Sequence, residues 1–387
     1  MVVTKKHRRC ATSPLDGEDV VRVISTFVPT TEFAFFAIAS KLCRHVWGKR
    51  GMNTQAVSVH TTPMQLRWCF DMGLKFSDNV VVNAAAIGRI DLMSVAGDVG
   101  CPFTRRVSFA AARGGYVDAL KYARTRGSTV NADVANVAAL RGHLHVLKWL
   151  FSVGCEFNAS TCYVSAKNGH HQCLKYLRDV GCEWDELTCS AAARWGHFAL
   201  LKWAMQQGCH FGQRVVHAAA QGGNLSILTY VESCIRRRGD VVDTADSSLC
   251  TAAAAGGHVH ILQWALANGR CIWSADTVRM AALHGHLHVF RWGMENGCYM
   301  YRGVSVMRWA ARGGHVVLLD WLLGNGFIAD ARLTVLAACR GHLGVLQWAY
   351  SRQLALFNEN TWNAAVSKGP EIMQWLREKG CPGSFGT

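Results

Sequence analysis

The sequence predicts an all-α fold, a solenoid of about 12 stacked helix–turn–helix repeats. Three observations predict it. The first is a ladder of glycines, Gly88, Gly115, Gly142, Gly169, Gly196, Gly223, Gly257, Gly285, Gly314, Gly341 and Gly369. Its spacings are 27 residues five times, then 34, 28, 29, 27 and 28. The second is a run of small residues before each glycine, such as Ala110-Ala111-Ala112 or Ala191-Ala192-Ala193. The third is an amphipathic stretch after it, as in His143 to Leu150, with apolar residues at helical spacing.

Each element follows from side-chain physics. Alanine favours helix and lets a neighbouring helix approach closely. Glycine tolerates the positive φ that ends such a helix. The amphipathic stretch gives a second helix with one buried stripe. A Gly-Cys pair often closes the unit, at Cys101, Cys155, Cys182, Cys209, Cys298 and Cys381. Seven residues after the anchor stands Trp149, Trp203, Trp264, Trp292, Trp321 or Trp348 in six units, and Tyr122, Tyr176 or Tyr230 in three. An aromatic stripe at this period reads as core between repeats.

These residues resemble the ankyrin repeat over roughly residues 52–383, through the pattern Ala-Ala, Gly-His, two leucines and Gly-small. Two departures stand out. The units are shorter than the family's roughly 33 residues, the loss falling between Gly-Cys and the next helix. The Thr-Pro-Leu-His opening is reduced to its threonine, at Thr161, Thr188, Thr277 and Thr361. The resemblance therefore implies an ankyrin-like solenoid with stunted fingers. Short repeats rich in Trp and Cys are similar to those of large DNA viruses and some protists, which implies a role in virus–host interaction.

Residues 1–13 form a basic start with Lys5, Lys6, Arg8 and Arg9, and residues 14–50 form a helical segment outside the repeat. This second stretch resembles an F-box, the three-helix domain that docks on the Skp-type adaptor of cullin ubiquitin ligases. Val20, Val21, Ile24, Phe27 and Phe33 fall at its apolar positions, Pro29 in its inter-helix turn, and Trp47 at its close. The leading Leu-Pro is absent, and a helical cap for the solenoid would show the same apolar pattern.

Composition narrows the function. A chain of 387 residues exceeds one compact core, but a repeat array escapes that limit because each unit packs only on its neighbours. The net charge of +15 favours acidic or phosphorylated partners or nucleic acid. No apolar run is long enough to span a bilayer, and the basic, polar start lacks a signal-peptide core. With 16 cysteines but no such signal, reduced thiols in a cytoplasmic or nuclear setting, including that of a host cell, are the expectation.

Chemistry-bearing motifs are missing. The chain has no phosphate-binding Gly-x-x-x-x-Gly-Lys loop, no Gly-x-Ser-x-Gly elbow, no His-Glu-x-x-His and no Cys-x-x-Cys. The Gly-His histidines, His143, His170, His197, His258, His286, His315 and His342, recur once per repeat, and neighbouring helices lie about 10 Å apart. Zinc needs nitrogens about 2 Å away, so these rings fit hydrogen bonding between turns instead. The cluster His284, His286 and His288 gets the same reading. Neither an enzyme, a cofactor nor a metal is expected.

The candidate site is a ladder of cations one or two residues before the turn glycine: Arg113, Arg141, Lys167, Arg194, Arg312, Arg340 and Lys368. In an ankyrin-like stack that position faces the groove. Two explanations compete. A cation at a helix C-terminus meets the negative end of the helix dipole. Alternatively the ladder receives an acidic or phosphorylated protein segment. The 34-residue spacing after Gly223 suggests a longer loop carrying Arg236, Arg237 and Arg238, either a solvated loop or a basic docking spur. The function read from the sequence is a protein-interaction scaffold, a ubiquitin-ligase substrate receptor if residues 14–50 act as an F-box. A nucleic-acid or polyanion binder is the alternative.

Overall fold

The computed structural model describes residues 62–64, 66–67, 78–239, 247–298, 303–354, 357–366 and 368–381. The F-box-like positions Val20, Val21, Ile24, Phe27, Pro29, Phe33 and Trp47 lie outside them, as does most of the first expected repeat.

Among the described residues there are 22 helices and no strand, arranged as eleven helix–turn–helix pairs. The first five pairs are α1 (Asn79–Ala86) with α2 (Ile90–Asp98), α3 (Arg105–Gly114) with α4 (Val117–Thr125), α5 (Ala132–Arg141) with α6 (Leu144–Ser152), α7 (Ala159–Lys167) with α8 (His171–Asp179), and α9 (Glu186–Arg194) with α10 (Phe198–Gln206). Then come α11 (Gln213–Gln221) with α12 (Leu225–Arg237), α13 (Ser247–Gly256) with α14 (Val259–Ala267), and α15 (Ala275–Leu283) with α16 (Leu287–Glu295). The last are α17 (Val304–Gly313) with α18 (Val316–Gly324), α19 (Ala331–Arg340) with α20 (Leu343–Ser351), and α21 (Glu359–Ala365) with α22 (Pro370–Glu378). The chain forms two compact units. One runs up to Thr161 and includes Gln172–Cys182, and the other comprises Cys162–His171 and the chain from Glu183 onward.

Within each unit the packing is that of an ankyrin-like solenoid. First helix packs on first helix, as α3 on α5 and α13 on α15, and second helix packs on its own first helix, as α4 on α3 and α14 on α13. The alanines permit this. Ala111, Ala112, Ala138, Ala139, Ala253 and Ala254 are fully buried, and a larger side chain there would push the helices apart. The second helices contribute bulk, with Leu120, Val146, Leu147, Ile261 and Leu262 buried, each worth about 1.5–3 kcal/mol.

Two left-handed glycines delimit most second helices, with Gln353 at φ +55° taking that place after α20. Gly115 at φ +82° ends α3, its N–H reaching the Ala112 carbonyl at 3.3 Å. Gly127 at φ +88° ends α4 in the same way on Arg124. The glycine of the Gly-Cys pair thus does the same work as the anchor, which the sequence reading credits only to the latter. After it the chain restarts helix quickly, and side chains such as Asn131, Asp185 and Ser274 accept from the first-turn N–H groups. Thr161, Thr188, Thr277 and Thr361 are fully buried there.

Three expectations need correction. Arg236 and Arg237 are not in a loop, because α12 runs 13 residues to Arg237 where most second helices have nine. The extension is held from inside, where Val231 and Ile235 are buried and Glu232 pairs with the buried Arg270. Arg236 also reaches Glu232 at 3.3 Å, and Arg238 lies over the Phe211 ring and donates to its carbonyl. The aromatic stripe is core only in part: Trp292 and Trp348 are buried, while Trp149, Trp203, Trp264 and Trp321 are half-buried. The stripe also meets aromatics that follow the second turn of a repeat, Trp203 edge-on to Trp184 and Trp292 tilted against Trp273. Finally, the expectation of reduced thiols has one qualification: Cys250 and Cys271 come within bridging range, their Cα atoms 5.8 Å apart, while others such as Cys101 and Cys155 are free thiols.

Candidate binding face on the first helices

Turn histidines tie six of the first-helix ends to the next repeat. A carbonyl only accepts, so each imidazole donates from Nε2. In the first unit His143 donates to the Arg113 carbonyl at 3.0 Å. In the second, His197 donates to Lys167 (3.1 Å), His258 to Gln221 (3.1 Å), His286 to Ala255 (3.0 Å), His315 to Leu283 (2.9 Å) and His342 to Arg312 (3.0 Å). Asn224 replaces histidine in one repeat and donates to Ala193 and Arg194 at 2.9 and 3.1 Å. The ring lies against the preceding glycine: a Cβ on Gly285 would sit 2.4 Å from the His315 Nδ1. Gly and His are therefore needed together, one on each repeat.

Burial lowers the imidazole pKa of His258 and His286, and the neighbouring imidazoles lower it further, against the carbonyl bond that favours the cation. In the cluster of three, the His286 and His288 Nε2–H groups donate to the carbonyls of Ala255 and Gly257, so the rings serve the turns.

The seven cations lie one per repeat. Arg113, Arg141, Arg194 and Arg340 are exposed in the last turn of their first helices, and Lys167 and Arg312 are half-buried there. Lys368 differs: α21 ends at Ala365, so Lys368 stands in the turn beyond, its N–H on the Ala365 carbonyl. None of the seven forms an ion pair among the described residues. Lys167 lies over the Trp195 ring at 5.4 Å, and Arg312 over Trp309 at 5.1 Å. Loss of solvent lowers the His284 imidazole pKa, and the charges of His315 and Arg194 lower it further.

Sequence reasoning missed one feature of this face. In the second unit a cleft of about 620 Å³ opens between α17, α19 and α21. Ser305, Arg308, Trp309 and Arg312 line it from α17, Arg332, Val335 and Leu336 from α19, and Asn360 and Asn363 from α21. Arg308 is committed to Asp330, with Nε 3.0 Å from the carboxylate, and this holds the Asp330 carboxyl below its ordinary pKa. Arg332 forms no salt bridge among the described residues and is exposed, although its backbone N–H and its charge also lower the Asp330 pKa. Arg279 covers Trp309 from α15 at 5.3 Å. The signal was in the sequence, since Trp309 is a large aromatic in an otherwise small-residue first helix.

No family model matches the chain, and no curated protein matches it. Among solved structures, the crystal structure of the human ASB11 ankyrin repeat domain is similar at 22% identity, covering 40% of this chain and 82% of that one, with a TM-score of 0.35. The repeat architecture rests on this chain's own helix pairs and glycine turns. No helix among the described residues is long and apolar enough to cross a membrane.

Proposed function

We propose that this chain is a non-catalytic protein-interaction scaffold whose first-helix face receives an acidic or phosphorylated segment of a partner protein. One observation carries the reading. The helix ends without a cation, at Gln221, Gly256 and Leu283, are completed by the same histidine–carbonyl bonds as the cationic ends at Arg113, Lys167 and Arg312. The cations are thus dispensable to the turn, and the dipole account, about 0.3–1 kcal/mol per charge, has lost its main client because an uncharged N–H already occupies the carbonyl. Cations left unpaired on one face favour an anionic ligand, and their mutual repulsion falls when one binds.

The test is done unit by unit. Changing Arg113 and Arg141 to Glu, or Arg194 and Arg340 to Glu, should weaken binding of an acidic partner peptide, and wild-type affinity should fall as salt rises. Binding indifferent to both the charge reversals and salt defeats the reading. A second reading, a nucleic-acid or polyanion binder, is favoured by the cation–aromatic stacks at Trp195 and Trp309. Partner recovery that survives nuclease treatment argues against it.

The F-box-like resemblance of residues 14–50 adds a finer role, a substrate receptor for a cullin-type ubiquitin ligase. Its test is co-purification with a Skp-type adaptor, lost when Ile24 and Phe27 are made charged. A cytoplasmic or nuclear setting, in a host cell if the chain is viral, follows from this reading.

A further inference from the structure

The cleft between α17, α19 and α21 has a composition that the cation ladder alone does not explain. Its floor is apolar, from Val335, Leu336 and the half-buried Trp309. Its rim is cationic, with Arg312 and Arg332 free of ion pairs, and no acidic side chain lines it. Two amide side chains, Asn360 and Asn363, close one wall and offer both donors and acceptors. The Trp309 indole N–H makes no hydrogen bond among the described residues.

These groups ask for different things from one ligand. An apolar floor takes an apolar side chain, since burying it there removes both surfaces from water. Unpaired guanidinium groups take carboxylates in bidentate geometry. Paired amides match the backbone of an extended chain. Arg279 and Arg312 both lie near the Trp309 ring, at 5.3 and 5.1 Å from its centroid, and strengthen the positive character of the rim. A bare polyanion satisfies the rim and leaves the floor wet.

We infer that this cleft is a specificity pocket for an extended acidic peptide that inserts one large apolar side chain, flanked by carboxylates, over Trp309 and Leu336. The inference rests on the scaffold reading and sharpens it, because the ladder supplies general attraction and the cleft selects the sequence. Arg332 on one side and Arg312 on the other would hold the flanking carboxylates.

The test uses the full chain and a fluorescent acidic peptide of aspartate and glutamate with one central phenylalanine, read by anisotropy. Replacing that phenylalanine with alanine should weaken binding about tenfold, as should Trp309→Ala. Arg332→Glu should do the same, and because Arg332 is exposed and unpaired the helical circular dichroism should not change. Peptide binding that falls with salt but ignores all three changes overturns the pocket and leaves the ladder standing. Binding that depends on all three but ignores the paired change of Arg194 and Arg340 to Glu overturns the ladder and keeps the pocket. No binding at low salt sinks both, and an oligouridylate strand that binds more tightly than the peptide overturns the assignment to a protein partner.

Discussion

Two kinds of first-helix end occur in the second unit. At Lys167, Arg194, Arg312 and Arg340 the last turn carries a cation, whereas at Gln221, Gly256 and Leu283 it carries none. Lys167, Arg194 and Arg312 among the first kind, and all three of the second, are joined to the next repeat by a side-chain N–H to carbonyl bond, between 2.9 and 3.1 Å wherever histidine supplies it. The difference teaches that the joint and the charge are separate devices. The Gly-His joint builds the stack, and the cation decorates it.

The largest effect that can break this comparison is on the joint itself. Gly285→Ala puts a Cβ into the His315 ring on a backbone at φ +75°. We expect a loss of about 2–4 kcal/mol, from the left-handed cost plus the overlap, measured by urea denaturation. Survival of the wild-type midpoint would mean that the turn is not built on that contact.

A smaller loss compares the two kinds of end directly. His342→Ala strips the N–H from the cationic end at Arg312, and His286→Ala strips it from the neutral end at Ala255. Each orphaned carbonyl should cost about 1–3 kcal/mol, equally in both. If the cationic end proved much more tolerant, its arginine would be compensating and the separation of roles would fail.

Acid sharpens the neutral end further. His258 and His286 have pKa values below the ordinary imidazole, so on acidification the unfolded chain takes up protons first. Their contribution is full above about pH 6.5 and is lost as pH falls below it. Amides of α13 and α15 should exchange faster at pH 5 than at pH 7 after correction for intrinsic rates, and His286→Gln should reduce that difference.

The joint was legible in the sequence because its parts recur at a fixed period, so Gly115 and His143 are found by spacing alone. The groove contents were not, since residues such as Trp309, Arg332 and Asn363 differ from repeat to repeat and only packing brings them together. The insertion after Gly223 was misread as loop because extra length alone does not distinguish loop from longer helix. The continued spacing of Ile227, Leu228, Val231 and Ile235 carried the answer, as an apolar stripe running one turn further.

The central claim, that the cations serve binding and not folding, has one direct measurement. Arg194, Arg312 and Arg340 are replaced together by glutamine, and both the thermal midpoint and the affinity for an acidic peptide are recorded across a salt series. The substitutions at the exposed Arg194 and Arg340 should move stability by no more than about 0.5 kcal/mol each. That at the half-buried Arg312 should cost the worth of its contact with Trp309, about 0.5–1 kcal/mol, leaving the midpoint near that of the wild type. Affinity at low salt should fall about tenfold or more and the salt dependence should flatten. A midpoint that drops steeply while affinity and its salt dependence stay unchanged would contradict the account and return these cations to the helix ends.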